Sequence, residues 1–369
     1  MSANPGVCCN RSPASGVTAA TSPSRVPALT GLRAVAALFV VGTHAAFATG
    51  KLTHGYVGAL YAHLEVGVAI FFVLTGFLLF RPWVRAAAAG SAPPHLTRYA
   101  RHRVRRILPG YVLTVLAVFA LYTVFTPGPN PGQTWYGLLR YLTFTQIYTD
   151  DYLITLLHTG LSQTWSLAVE VAFYAVLPGL AYLLLRTGWR PRRTLAALMA
   201  LATITPLWLL ATNAAFLPNS AGMWLPAHLA WFAGGMALAV LEVTGARCHA
   251  TAAISLAVVL YLAVSTMDTA SAPVTKALTY AAIATLVVAP LALGDQGRYA
   301  RLLGSRPMVF LGEISYEIFL IHLVTMEFVM VDVLGFGIYT GSMFWLFVLT
   351  LVVTIPLAWL LHRFTRVRT

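Results

Sequence analysis

Charge is what this chain has least of: 9% of its residues are Asp, Glu, Lys or Arg, against roughly 25% in an ordinary soluble protein. Lysine is nearly missing, with only Lys51 and Lys276, and acidic residues number 11 in 369. So small a polar complement cannot cover two or three soluble domains, the organisation that length alone would suggest. A hydrophobic content of 59% excludes a disordered chain just as firmly. Cysteine is scarce too: Cys8, Cys9 and Cys248 form no metal-ligand spacing and no disulfide framework. The first 25 residues lack the apolar core of about 7 to 15 residues that a signal peptide needs. Nowhere do polar and apolar residues alternate as in an outer-membrane barrel. The net charge of +13 invites a nucleic-acid partner, but no basic stripe with interleaved aromatics is present, and that class is excluded.

What the chain has instead is a mean hydropathy of +0.76, spread over recurring apolar runs of about twenty residues, each long enough to cross a bilayer. The fold expected is all-α, a polytopic transmembrane helical bundle. Spans fall near residues 29–48, 62–80, 107–126, 164–185, 195–212, 223–241, 251–267, 274–293, 309–331 and 343–361, about ten in all. With the N-terminus inside, twenty arginines fall in the tails and cytoplasmic segments, and only Lys51, Arg140 and Lys276 fall outside. The positive-inside rule thus gives an even number of spans and two cytoplasmic termini. The division expected is a disordered cytoplasmic tail over 1–27, one membrane domain over 28–362 and a basic cytoplasmic tail over 363–369. A start codon placed too early would produce the same N-terminal composition.

An ionisable side chain at membrane depth costs a few kcal/mol and is a functional candidate by default. Arg33 and His44 lie eleven residues apart on the first span. At about 100° per residue they return to one face, separated by about 16 Å along the axis. Glu170 enters the fourth span and needs a partner, for which Arg33 or His44 would serve. In the ninth span Ser315 and His322 share one face, and Glu313 and Glu317 share another. Ahead of the third span, Arg98, Arg101, Arg103, Arg105 and Arg106 form a cluster of planar donors suited to phosphate and pyrophosphate. Against each functional reading stands a bland one: snorkelling or topology-setting arginines, a satisfied core histidine, a glutamate at a helix start, and polar residues that glue helices together.

Five segments in order resemble the acyltransferase family 3 integral membrane O-acyltransferases. The R-x10-H pattern is met by Arg33 and His44. GVAIFFVLTGFL at 67–78 follows the family's second segment, with Thr75 in place of serine. HRVRRILPGY matches the loop pattern at Arg103, Arg106, Pro109 and Tyr111, with His102 where arginine is usual. The T-W-S-L segment is met by Thr164, Trp165, Ser166, Leu167, Val169, Glu170, Phe173 and Tyr174, and Val171 replaces its second glutamate. The last segment is met by Leu311, Gly312, Ile314, Ser315, Tyr316, Leu320 and His322, with Phe319 for a tyrosine.

The resemblance implies a membrane enzyme that moves an acyl group from acyl-coenzyme A, as co-substrate, to a hydroxyl of a sugar-containing acceptor, with no bound cofactor or metal. It implies His44 as the essential catalytic residue, acting as base or as acyl carrier. Arg33 and Glu170 are the expected catalytic partners; Arg101, Arg103, Arg106, Trp165, Ser166, Tyr174, Ser315, Tyr316 and His322 are the expected substrate contacts. The arginine-heavy, alanine-rich composition points to a high-GC bacterium and its cytoplasmic membrane, with lipid as the surrounding partner. A proton-coupled transporter or exporter is the rival class, since it too places ionisable groups in spans.

The charge asymmetry generates a topology test. Single cysteines near residue 135 are expected to react with an impermeant thiol reagent in intact cells, and those near 190 and 300 only after lysis. Labelling at 190 in intact cells contradicts the expected orientation.

Overall fold

The computed structural model describes residues 26–125, 127–149, 157–267 and 272–365; residues 1–25 and 366–369, which hold most of the two expected tails, lie outside them. Among the described residues every regular element is helical. In hydrocarbon this is forced, because backbone N–H and C=O groups have no water to bond and must pair within their own segment.

The helices are α1 (Pro27–Ala48), α2 (Gly55–His63), α3 (Val66–Ala88), α4 (Leu96–Leu121), α5 (Trp135–Leu142), α6 (Trp165–Leu185), α7 (Pro191–Ala202) and α8 (Ile204–Asn213). They continue as α9 (Leu225–Val243), α10 (Ala250–Val264), α11 (Pro273–Ala292), α12 (Arg298–Leu303), α13 (Arg306–Glu313), α14 (Ser315–Phe328) and α15 (Met343–Thr365). Proline opens α1, α7 and α11, where its missing N–H would be unpaired in any case.

Among the described residues, eight helical stretches are long and apolar enough to cross a membrane, and a ninth counts if α13 and the run Ser315–Val333, bent by 69°, are taken together. The expected span at 251–267 is α10, of 15 residues, about 22 Å at 1.5 Å per residue, which falls short of a hydrocarbon core of about 30 Å. Hydropathy marked that segment correctly as apolar but carries no information on where the helix stops. The expected span at 309–331 is broken at Ile314, and Ser315 Oγ donates to the Gly312 carbonyl at the bend. The described part of the C-terminal segment continues α15, with Arg363 in its last turn.

Two close helix approaches set the frame. Without a hydrophobic force between helices in lipid, small residues that let backbones touch supply the packing. Gly76 of α3 faces the Phe232 carbonyl of α9, and Gly235 of α9 faces the Val73 carbonyl of α3. Phe232 is then sandwiched between Phe72 and Phe173, with ring centroids 4.5 and 3.9 Å away. Gly312 of α13 likewise meets the Thr30 carbonyl, and Gly31 meets the Leu303 carbonyl, so the start of α1 is pinned between α12 and α13.

Ion pairs and hydrogen bonds mark the two ends of the bundle. At one end Arg81 and Arg85 of α3 share Glu242 of α9, and His362 of α15 pairs with Glu317 of α14 at 2.9 Å. At the other, Lys276 pairs with Glu65, and the Tyr339 backbone N–H donates to the Ala48 carbonyl at the end of α1.

Replacing Gly235 with alanine drives a methyl group into the Val73 carbonyl, and overpacking of that kind costs about 1 to 3 kcal/mol. Gly179→Ala meets nothing within 4 Å and is expected to be neutral or slightly stabilising, as alanine is the better helix former. Thermal unfolding in detergent compares the two.

Candidate functional site

The stripe of α1 that carries Arg33 and His44 serves two different neighbourhoods. Around Arg33 lies a cavity of about 100 Å³ lined by Phe71, Leu74, Thr75, Leu78 and Leu79 of α3, Arg103 and Arg106 of α4, and Glu170 and Tyr174 of α6. Arg103 and Arg106 are three residues apart and therefore share a face of α4, which begins at Leu96, early enough to carry the arginine loop as helix. Arg98, Arg101 and Arg105 are exposed, as is Arg106, but unlike it they do not line the cavity. Of the arginines expected to bind substrate, the structure thus brings Arg103 and Arg106 to Arg33 and leaves Arg101 out.

Glu170 is not ion-paired with Arg33 or His44, contrary to expectation. Among the described residues, its carboxylate accepts from the Thr75 hydroxyl at 2.7 Å and from the Tyr174 hydroxyl one turn along α6. These two neutral donors hold the carboxylate on one wall, so the Arg33 guanidinium remains free of any salt bridge among the described residues. Arg103 lies 6.0 Å over the Tyr174 ring, and its buried Nε has no hydrogen-bond partner. Three guanidinium groups face one carboxylate across a space closed on its other side by apolar side chains. Such a site carries a positive charge of two and has vacant donors, the requirement for an oxyanion with more than one charge.

About 16 Å along α1 from Arg33, His44 meets His322 of α14, with His44 Nδ1 and His322 Nε2 3.2 Å apart. His322 Nδ1 is 2.8 Å from the Phe319 carbonyl, and His44 Nδ1 is 2.8 Å from the Val40 carbonyl. Carbonyl oxygens only accept, so both Nδ1 atoms carry protons, His322 Nε2 is an acceptor toward His44, and His44 Nε2 is left with a lone pair. No described residue bonds that atom. The Val40 carbonyl and His322 together hold the His44 tautomer and leave its Nε2 lone pair able to accept a proton.

The remaining predicted contacts, Tyr174 apart, are engaged elsewhere. Trp165 packs on the His228 ring at 5.2 Å. Ser166 Oγ donates to the Gln163 carbonyl, Ser315 Oγ to the Gly312 carbonyl, and the Tyr316 hydroxyl to the Ile107 carbonyl at 2.9 Å, tying α14 to α4. Only Tyr174 of this group lines the cavity. Two residues that the sequence reading passed over matter here. Thr75, noticed only as a departure from serine, supplies the hydroxyl that holds Glu170. Gln163, just ahead of the Thr164–Trp165 segment, caps the Phe319 and Leu320 carbonyls and so supports the turn that carries His322. Its proximity to that segment was the available signal. Among the described residues no cluster of three or more His, Cys, Asp or Glu could hold a metal.

Residues 26–363 match the family model described as acyltransferase domain. The chain is 29% identical over 326 residues to the acyltransferase MdmB of Streptomyces mycarofaciens, an alignment covering 82% of this chain and 80% of that protein. It is 26% identical over 197 residues to the peptidoglycan O-acetyltransferase OatA of Listeria monocytogenes, covering 50% of this chain and 28% of that one. A regulator of hypoxia-inducible factor 1 from Caenorhabditis elegans is 25% identical over 138 residues, 36% of this chain and 26% of that protein. No solved structure matches.

The charge balance of the cavity is testable with inorganic pyrophosphate as the probe. Arg103→Ala and Arg106→Ala are each expected to weaken its binding about ten- to a hundredfold, the loss of one charged hydrogen bond of about 1.5 to 3 kcal/mol. Glu170→Gln, which removes the single carboxylate, is expected to tighten it, and Arg101→Ala to leave it unchanged. Calorimetry on the detergent-solubilised protein at two salt concentrations measures all four.

Proposed function

The chain belongs to the acyltransferase domain family that matches it over residues 26–363, and on that premise we propose that it takes an acyl group from a coenzyme A thioester and esterifies a sugar hydroxyl. As a member of that family it is a multi-pass membrane acyltransferase, of groups other than amino-acyl groups. That assignment removes the transporter reading. The donor, the acceptor and the residue roles are our reading, and one observation carries them: Arg33, joined by Arg103 and Arg106 of α4, and the oriented imidazole of His44 stand at two points of a single stripe of α1.

Coenzyme A has its pyrophosphate and its sulfur at opposite ends of an arm of about a dozen bonds, about 15 Å when extended at standard bond lengths. The separation of Arg33 and His44 along α1 is about 16 Å. A donor whose phosphates rest on Arg33, Arg103 and Arg106 would therefore present its thioester near His44. This spacing also favours a phosphate role for Arg33 over polarisation of the thioester carbonyl. The arginine-bearing end faces the cytoplasm in this reading, in line with the charge asymmetry.

At the other end, His44 Nε2 takes the proton of the acceptor hydroxyl as its oxygen attacks the thioester carbon. The C–O bond forms, the C–S bond breaks, and the proton passes from His44 to the departing thiolate. While His44 is an imidazolium, its Nδ1–H bond to His322 becomes charge-assisted, so the pair stabilises the base in the state in which it has accepted the proton. A sugar acceptor is supported by the Listeria relative, which is named for O-acetylation of peptidoglycan. A bacterial cytoplasmic membrane is the location this function implies.

His44→Ala is expected to abolish acyl transfer while the protein still accumulates in membranes. His322→Ala is expected to lower kcat by about two orders of magnitude, the usual scale of general-base assistance, with KM for the donor little changed. Release of free thiol from acetyl-coenzyme A in membranes that contain the acceptor measures both. Full activity of His44→Ala overturns the assignment.

A further inference from the structure

Between the arginine cavity and the imidazole pair stand two phenylalanines. Phe71 lines the cavity and packs against a buried cluster that includes Ala37 and Val41 of α1, which lie between Arg33 and His44 in that helix. Phe319, on the turn of α14 before His322, meets the Phe71 ring edge to face with centroids 6.3 Å apart. Its own ring centroid is 5.9 Å from that of His322. A centroid separation of this size is ring contact and leaves no room for a chain between the two rings.

The two rings differ in how firmly they are held. Phe319 is 9% exposed, and its carbonyl accepts from both Gln163 and His322, so that turn is fixed by the imidazole it serves. Phe71 is only partly buried, with one side open to the cavity. Among the described ring contacts Phe71 meets Phe319 and neither histidine.

We propose that Phe71 and Phe319 form an aromatic gate between the donor cavity and His44, with Phe71 as the moving leaf, and that Phe71 sets the bulk of acyl group the enzyme accepts. The inference rests on the coenzyme A thioester reading above. A donor that enters from the arginine end leads with its acyl group, so the acyl group must clear the rings before the phosphates can settle on Arg33. The gate therefore discriminates by width at the passage, whatever space exists beyond it. Steric discrimination of this kind ranges from about ten- to two-hundredfold per small group.

Two electrophilic donors test this without an identified acceptor: bromoacetyl-coenzyme A, which is narrow, and 4-(bromomethyl)benzoyl-coenzyme A, which carries a ring. In each, His44 Nε2 displaces bromide from carbon, and the modified peptide is quantified by mass spectrometry. Wild-type protein is expected to be labelled at His44 by the narrow reagent and only slowly by the broad one. Phe71→Ala is expected to raise the broad-to-narrow rate ratio by about tenfold or more, and Phe71→Trp to slow both. Phe71→Leu, which keeps more of the packing, is expected to raise the ratio in the same direction should the alanine variant not elute as folded protein. An unchanged ratio across folded variants, with His44 still labelled, overturns the gate alone. Folded wild-type protein that is not labelled at His44 by bromoacetyl-coenzyme A overturns the donor reading and the gate with it.

Discussion

An ionised side chain at bilayer depth is destabilising by a few kcal/mol unless the fold gives it partners or water, and the surroundings of Arg33 are arranged around that constraint. The obvious solution, a salt bridge to Glu170, is not the one adopted. Thr75 and Tyr174 occupy the carboxylate instead, which keeps Arg33, Arg103 and Arg106 available as a group. Their mutual repulsion is offset in part by Glu170 and by the exposure of Arg106, and an anion in the space they face would offset more of it. The cost of assembling the cavity is thus coupled to what it binds.

The same constraint governs the other end of the stripe, with a different outcome. An imidazole can remain neutral, and His44 and His322 satisfy one another and two backbone carbonyls without any formal charge. Helix architecture connects the two ends. Gly31 and Gly312 pin the start of α1 against α12 and α13, and the break at Ile314 turns α14 so that His322 faces α1. A continuous helix through that point would carry Ser315 and His322 in one register with Glu313 and aim them differently.

Much of this was legible in the sequence, and the gaps have physical causes. The apolar runs gave the membrane helices because hydrophobic length is a one-dimensional property. The stripe of Arg33 and His44 followed from helical periodicity alone, and the shared face of Arg103 and Arg106 from their spacing of three residues at the start of the third span. The end of α10 and the bend at Ile314 were not legible, since both depend on backbone hydrogen bonds that composition does not encode. The partner of Glu170 was misjudged because charge pairing was given precedence over hydroxyl donors, and Thr75 lies 95 residues away. His322 was seen as a substrate contact. Its role as the neighbour of His44 depends on how α14 packs on α1, which periodicity cannot give.

The central claim is that one donor spans the stripe, its phosphates on the arginines and its thioester at the imidazole. A density map of the protein in lipid nanodiscs with a non-hydrolysable thioether analogue of acetyl-coenzyme A tests it most directly. The account predicts pyrophosphate density among Arg33, Arg103 and Arg106, the arm running past a rotated Phe71, and the acetyl carbonyl within reach of a hydroxyl bonded to His44 Nε2. Phosphate density elsewhere on the protein, or an acetyl group left on the arginine side of a closed Phe71–Phe319 pair with His44 unapproached, would contradict it.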